Sequence, residues 1–186
     1  MERRLFIKSA LASSLAIGAQ PVNAQDKSTL KSAIRVAADK DRLDKPFHLP
    51  GGIGLIHCKV STQDTNGALF LIEHANMGKG GPLRHLHHDQ DEWFYAIEGE
   101  YVAEVGDQKF RLKPGDSLLA PRKVPHVWAH VDDKPGRLLI AFQPAGKMEA
   151  LFRLVSGLKE RPPQEEYQKI FRAHGLELLG PPLKVG

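Results

Sequence analysis

Histidines cluster in one part of this sequence. Five of the nine fall between positions 85 and 130, in a chain of 186 residues. His85 and His87 are separated by one residue, and in an extended strand such side chains share a face, with Cα atoms roughly 6 to 7 Å apart. Both imidazoles can therefore reach one cation at the distance of about 2.1 Å that is typical of metal–nitrogen bonds. His88 faces the other way in such a strand.

Glu92 and His126 extend this pair to a candidate metal site. Glu92 follows a polar turn and opens the next strand, which returns a carboxylate to the two imidazoles. His126 is the natural third nitrogen, because it enters from a later strand after Pro125. Three nitrogens and one carboxylate suit Fe(II), Mn(II), Co(II), Ni(II), Cu(II) or Zn(II) better than Ca or Mg, which prefer oxygen ligands. His130 lies about 13 Å further along a regular strand and cannot share that metal.

Short β-strands are predicted to position these residues. From Ile53 onward, brief apolar runs alternate with turn signals such as Pro114-Gly115-Asp116. Many short strands at regular spacing are typical of an all-β sandwich or barrel. The predicted strands cover residues 53–61, 68–75, 92–98, 101–105, 109–112, 117–120, 126–131 and 138–142.

The C-terminal part of the chain has a helical period. Apolar residues recur at helical spacing between Met148 and Val155, and Gly157 ends this predicted helix. A second helix is predicted between Pro163 and Gly175. We expect the two helices to cover a face or an edge of the barrel, or to lie at a dimer contact, so a homodimer is one expected assembly.

Residues 1–24 have the features of an export signal. A basic segment precedes an apolar stretch at 10–19, and Val22-x-Ala24 fits a small-residue cleavage site. The apolar stretch is too short to span a bilayer as a mature helix. This segment resembles the twin-arginine signal in the run Arg3-Arg4-Leu5-Phe6-Ile7-Lys8. A general secretion signal is the alternative, and either predicts a periplasmic or secreted protein without a membrane span.

Removal of this segment changes the charge of the chain. The net charge falls from +4 to +2 over the remaining 162 residues, because the segment carries three basic residues and one acidic residue. No basic run interleaved with aromatic residues remains, so a nucleic-acid partner is not expected. The single cysteine, Cys58, excludes an internal disulfide.

The histidine cluster resembles a known sequence motif. Residues 81–99 resemble the first cupin motif, His-x-His-x(3,4)-Glu-x(6)-Gly, with Gly99 as its last residue. Within that superfamily, the sequence around these residues is similar to that of single-domain proteins of the quercetin 2,3-dioxygenase type. Residues 115–130 resemble the second motif, Gly-x(5)-Pro-x-Gly-x-x-His-x-x-x-Asn. Here Lys123 replaces the usual glycine and His130 the usual asparagine.

The resemblance implies a fold and a metal. It implies a small double-stranded β-helix, the cupin jelly-roll barrel, over residues 47–145. Residues 25–46 are then a tether or short helix, and residues 146–186 a helical extension packed on the barrel. It also implies that one divalent transition metal, iron first and Mn, Ni, Co, Cu or Zn as alternatives, is bound by His85, His87, Glu92 and His126.

Three further residues are candidates for a substrate pocket. Phe94 shares the strand face of Glu92, and Trp128 shares that of His126, with ordinary core packing as the alternative for both. His130 is a candidate substrate contact, or else a residue of the barrel interior or rim.

Three functions remain open from the sequence. The resemblance implies an oxygenase that acts on a small enolic or phenolic substrate, with Glu92 as both metal ligand and catalytic base. A non-catalytic module that binds a metal or small ligand is an alternative of another class. The third is an isomerase or lyase on a sugar or keto acid, in which the metal acts as a Lewis acid.

Overall fold

The part of the chain that the structure describes, residues 32–185 of a computed structural model, contains ten β-strands and two α-helices. They are β1 (Leu55–Val60), β2 (Phe70–Met77), β3 (Arg84–His87), β4 (Asp91–Glu98), β5 (Tyr101–Val105), β6 (Gln108–Leu112), β7 (Ser117–Ala120), β8 (His126–His130), β9 (Gly136–Gln143), α1 (Met148–Ser156), α2 (Gln164–Ala173) and β10 (Leu176–Gly180).

The strands form two antiparallel sheets of five strands each. One has the order β1-β2-β9-β4-β7 and the other β10-β3-β8-β5-β6, and their inner faces share one hydrophobic core. This arrangement confirms the predicted all-β barrel with C-terminal helices.

Alternating side chains explain why these segments form strands. In β4 the inward residues Glu92, Phe94 and Ala96 are buried, whereas Tyr95 faces outward and is exposed. β9 alternates in the same way over its whole length. A period of two places one set of side chains in the core and the other on the outer face.

Aromatic rings fill one end of the core and hold α1 against it. Phe70 and Phe142 stack with ring centroids 5.9 Å apart, and Phe152 of α1 lies 6.0 Å from Phe70 and 6.2 Å from Phe142. Buried aromatic side chains of this size remove large apolar areas from water. The first C-terminal helix therefore covers an end of the barrel.

The C-terminal extension also adds a strand that the sequence analysis did not predict. β10 pairs with β3, so that Leu178 lies opposite His85 and Leu176 opposite His87. The His88 backbone N–H also donates to the Gly175 carbonyl, 2.9 Å away. The strand that carries two candidate metal ligands is thus held between β8 and the C-terminal strand.

The N-terminal part of the description begins at residue 32. Residues 32–46 form turns and extended chain, followed by an isolated bridge between Phe47 and Ile56. The predicted export signal and residues 25–31 lie outside the described residues. Within 32–185, neither helix is long and apolar enough to cross a membrane.

Candidate metal centre

Both sheets contribute to one buried cluster. β3 carries His85 and His87 on its inner face, and β8 begins with His126, which is paired directly with His85. Glu92 comes from β4 in the opposite sheet. All four side chains are buried, and their candidate ligand atoms lie within 4.8 Å of one another. The pairing of β3 with β8 therefore brings the two motifs together, and the facing of the two sheets brings Glu92 to the three histidines.

The carboxylate of Glu92 lies at the centre of the three imidazoles. Its Oε2 atom is 2.8 Å from His126 Nε2, 3.0 Å from His87 Nε2 and 3.6 Å from His85 Nε2. Burial alone raises the pKa of Glu92, but hydrogen bonds from the three imidazoles outweigh it and hold that pKa well below its usual range. Glu92 is therefore ionised, as a metal ligand must be.

Two of the imidazoles are oriented by backbone carbonyls. The Nδ1–H of His85 donates to the Leu83 carbonyl at 2.7 Å, and that of His126 donates to the Val124 carbonyl at 2.9 Å. A carbonyl only accepts, so each bond places a proton on Nδ1 and directs Nε2 toward Glu92. Metal-bound histidines in proteins are held by the same kind of outer hydrogen bond.

The pKa shifts of these histidines have different causes. Burial lowers the pKa of His85, and hydrogen bonding to Glu92 opposes that effect only in part. Burial also acts to lower the pKa of His126, but there the hydrogen bond and the charge of Glu92 prevail and raise it. Three nitrogens and one ionised carboxylate match the donors that divalent transition metals prefer. The residues present thus fit the metal that the sequence predicts.

An apolar cavity of about 160 Å³ opens onto this cluster. His85, His87 and Glu92 line one end, and Trp128 and Ile140 line the walls. The C-terminal extension supplies much of the remaining wall through Met148, Leu151, Phe152, Val155, Tyr167, Phe171, Leu176 and Leu178. The helices therefore shape the space next to the metal ligands and do more than cover the barrel.

Comparison with known proteins identifies the fold. Residues 72–142 match the family model described as the cupin domain. The barrel has the cupin fold. An RmlC-like cupin from Shewanella frigidimarina is similar, with a TM-score of 0.50 and 22% identity over 63% of this chain and 96% of that one.

Two other similar proteins cover less of the chain. KdgF from Halomonas sp. is 23% identical, with a TM-score of 0.46 over 54% of this chain and 86% of that one. An uncharacterized protein of Methanocaldococcus jannaschii, MJ1618, is 31% identical over 62 residues, which are 33% of this chain and 50% of that protein. The match thus spans half the length of that relative.

The three predicted pocket residues occupy different places in the cupin barrel. Trp128 lines the cavity. Phe94 does not line it but packs behind it, with its ring 6.3 Å from that of His126 and 6.4 Å from that of Trp128. Both residues thus belong to the packed core, and Trp128 also forms part of the cavity wall.

His130 does not line the cavity either, and it lies in the barrel interior, the alternative position expected for it. It is fully buried, and its Nδ1–H donates to the Gly78 carbonyl at 3.1 Å. Gly99 and Gly136 enclose its ring, since a Cβ atom at either position would lie 2.5 Å from it. The four-residue offset from His126 along β8 separates it from the metal ligands.

Lys123, which replaces a motif glycine, keeps the backbone shape that glycine favours. Its φ is 65°, in the left-handed region, and its N–H donates to the His87 carbonyl at 2.7 Å. A backbone hydrogen bond therefore links the turn before His126 to β3, and Lys123 has a strained backbone conformation in that turn.

Sequence reasoning missed one buried polar residue of the cavity. His74 on β2 lines it, although the sequence offers no partner pattern for this histidine. The single signal available was its alternation with Ile72, which places both on the inner face of the strand. Such alternation does not distinguish a core histidine from a cavity one.

Proposed function

We propose that this protein is a metal-dependent cupin enzyme with one divalent transition metal held by His85, His87, Glu92 and His126. The observation that carries the proposal is the convergence of three imidazole nitrogens and one ionised carboxylate at the end of an apolar cavity. Four ligands leave open positions on a metal of five or six coordination, and an accessible cavity beside those positions is what a substrate requires.

The protein residues have separate tasks in this proposal. Carbonyls hold one proton of His85 and of His126 on Nδ1, so Nε2 is the atom that binds a metal once it has given up the proton shared with Glu92. Glu92 has a second role as a base, because an ionised carboxylate within hydrogen-bond reach can accept a proton from a substrate hydroxyl. When bound, the metal supplies Lewis acidity and, if it is redox-active, access to reaction with O2.

The cavity restricts the substrate to a small molecule. A volume of about 160 Å³ is close to that of an apolar cavity known to hold a single benzene ring. A three-ring flavonol exceeds that space, so only part of it fits inside this open cavity. We therefore propose oxygenation of a small enolic or phenolic compound, in which an acidic hydroxyl is the group that Glu92 deprotonates.

Metal analysis combined with O2 consumption tests this function. The protein is stripped and reloaded separately with Fe, Mn, Co, Ni or Cu, and small catechols, hydroxypyranones and flavonols are offered in air and under anaerobic conditions. The proposal predicts O2 uptake with at least one metal and a small substrate, and slower or no uptake with flavonols. Absence of O2 uptake with every metal contradicts it. Anaerobic turnover indicates an isomerase or lyase, and ligand-induced stabilisation without turnover indicates a binding module.

We also propose that the protein is exported to the periplasm or beyond. The support is the sequence of residues 1–24, which lie outside the described residues. Fusion of this segment to a reporter that is active only after folded export tests the twin-arginine pathway. Replacement of Arg3 and Arg4 by lysine should abolish that export, whereas a general secretion signal should tolerate the change.

A further inference from the structure

The cavity contains one buried ionisable side chain that does not belong to the metal ligands. Of the residues that line it, His74 is that side chain, with 9% of its surface exposed. Its neighbours in the barrel are otherwise apolar, with Ile56 opposite it on β1 and Leu138 opposite it on β9. The Trp128 ring packs edge-on against it, with centroids 5.6 Å apart.

His74 has an unused hydrogen-bonding atom. Its Nδ1 atom is buried and has no hydrogen-bond partner among residues 32–185. Burial lowers the pKa of His74 to about 4, although the charge of Glu92 acts in the opposite direction. The imidazole is therefore neutral near pH 7 and offers one donor and one acceptor. A buried polar group without a partner is costly in a folded protein, so a ligand toward which the His74 ring turns this atom gains affinity.

The strand register separates His74 from the metal ligands. Glu92 lies opposite Phe142 on β9, whereas His74 lies opposite Leu138 on the same strand. These two positions on β9 differ by four residues, which is about 13 Å of strand. His74 and Glu92 nevertheless line one cavity, with Ile140 between them on β9. The cavity thus has a charged polar end, an apolar middle and a neutral polar end.

We propose that His74 is a specificity-determining residue that hydrogen-bonds to a second polar group of the substrate, at the end remote from the metal. This inference rests on the proposed function, because it takes the metal as the anchor of the other end. The substrate class is then a small molecule with an acidic enol or phenol at one end and a hydroxyl, carbonyl or amine at the other. Its short apolar middle contacts Trp128 and Ile140.

Binding of simple metal chelators to the zinc-loaded protein tests the inference without any turnover. Two series of hydroxamic acids of increasing length are compared by calorimetry: alkyl hydroxamates, and hydroxyalkyl hydroxamates in which a terminal hydroxyl replaces the terminal methyl. At one chain length the hydroxyl compound should bind the wild-type protein roughly 5- to 10-fold more tightly than its alkyl counterpart, the gain expected of one net hydrogen bond.

Variants assign that gain to His74. His74→Leu should remove the preference for the hydroxyl compound and retain stoichiometric zinc, and His74→Gln, which keeps a donor and an acceptor, should retain part of it. His57→Leu is the matched control, because His57 is also buried and its Nδ1 atom has no hydrogen-bond partner in the described part of the chain, but it does not line the cavity. It should leave the preference unchanged.

The outcomes separate the inference from the proposed function. Equal binding of both series at every length, or a preference that persists in His74→Leu, overturns the role of His74 while the metal site stands. Failure of the wild-type protein to take up zinc overturns both.

Discussion

His85 and His126 face each other across the antiparallel pairing of β3 and β8, and each donates its Nδ1–H to the carbonyl two residues before it. The same local bond is thus formed on two neighbouring strands. Both side chains are fixed by their own backbone and need no further side chain for orientation. A site built on paired strands in this way holds its nitrogen atoms in place before a metal arrives.

Replacement of His87 tests the ligand assignment most directly. His87→Ala removes one of three nitrogens from a buried cluster, so metal stoichiometry measured by elemental analysis should fall from near one to a small fraction of that. The barrel should still fold, because the cavity left beside Phe142 is small relative to the shared core. Circular dichroism checks the fold.

His88→Ala is the matched control for this variant. His88 is the next residue on the chain, but its side chain is about half exposed and lies near Glu177 outside the barrel. It should retain full metal content. If His87→Ala retains stoichiometric metal, the ligand set is wrong.

Local sequence pattern predicted much of the barrel because strand alternation is a local property. The bounds of β5 and β7 agree with the structure, and β4 and β8 differ by one residue. The spacing of His85, His87 and Glu92 also reveals the site, since it depends on two strands joined by one turn.

Features that depend on distant packing were not predictable in the same way. β10 is a five-residue run of no clear period, and it becomes a strand only because β3 offers an unpaired edge. His74 belongs to the cavity because Trp128 approaches it from the other sheet. The buried position of His130, away from the cavity, likewise depends on distant residues, because Gly99 and Gly136 leave space for its ring. No sequence spacing encodes these long-range contacts.

Leu176 on β10 should couple the C-terminal extension to stability and metal binding. It is buried opposite His87 and lines the cavity. Leu176→Ala should lower the free energy of unfolding by about 2 to 5 kcal/mol, measured by urea denaturation, because it leaves a cavity in the core. Metal affinity should fall as the support of β3 loosens. Leu179→Ala on the same strand, where the side chain is 42% exposed, should change neither quantity appreciably.

Glu149 on α1 should make stability depend on acid pH. Its carboxylate accepts hydrogen bonds from Ser61 Oγ at 2.9 Å and the Thr62 N–H at 2.7 Å, and from Arg153 at 2.5 Å. Burial acts to raise the pKa of Glu149, but these bonds outweigh it and lower that pKa. A carboxyl group with a depressed folded pKa stabilises the protein fully above its unfolded pKa of about 4.3, and this contribution is lost as pH falls through the folded value.

Glu149→Gln should therefore cost about 1 to 3 kcal/mol of unfolding free energy at pH 7, and the difference from wild type should shrink as pH falls below about 4. Urea denaturation across a pH series measures it. Glu165→Gln is the control, because Glu165 forms an equivalent i,i+4 ion pair with Lys169 that is largely exposed. A pH-independent difference for Glu149→Gln contradicts this account.

Cys58 should be inert in the folded protein. The side chain is fully buried, and burial, followed by the charges of Glu149 and Asp41, raises its pKa to about 12. Only about one thiol in 10,000 is then ionised at pH 8, and the thiolate is the reactive form. A colorimetric thiol reagent should label one site per chain in guanidinium and almost none in buffer. Rapid stoichiometric labelling of the native protein contradicts the prediction.

Lys123 is a position where the chain can be made more stable. Its φ of 65° is unfavourable for a residue with a Cβ atom, by about 1 to 2 kcal/mol. Lys123→Gly removes that strain and keeps the N–H that donates to His87. Glycine also makes the unfolded chain more flexible, which lowers the free energy of unfolding by roughly 0.4 to 1 kcal/mol. The net expectation is a gain of up to about 1.6 kcal/mol in the free energy of unfolding, measured by urea denaturation, with metal content unchanged. Lys159→Gly, at an exposed loop lysine outside the left-handed region, should instead lose stability, because there glycine relieves no strain. Equal losses in the two variants would show that the turn before His126 is not strained.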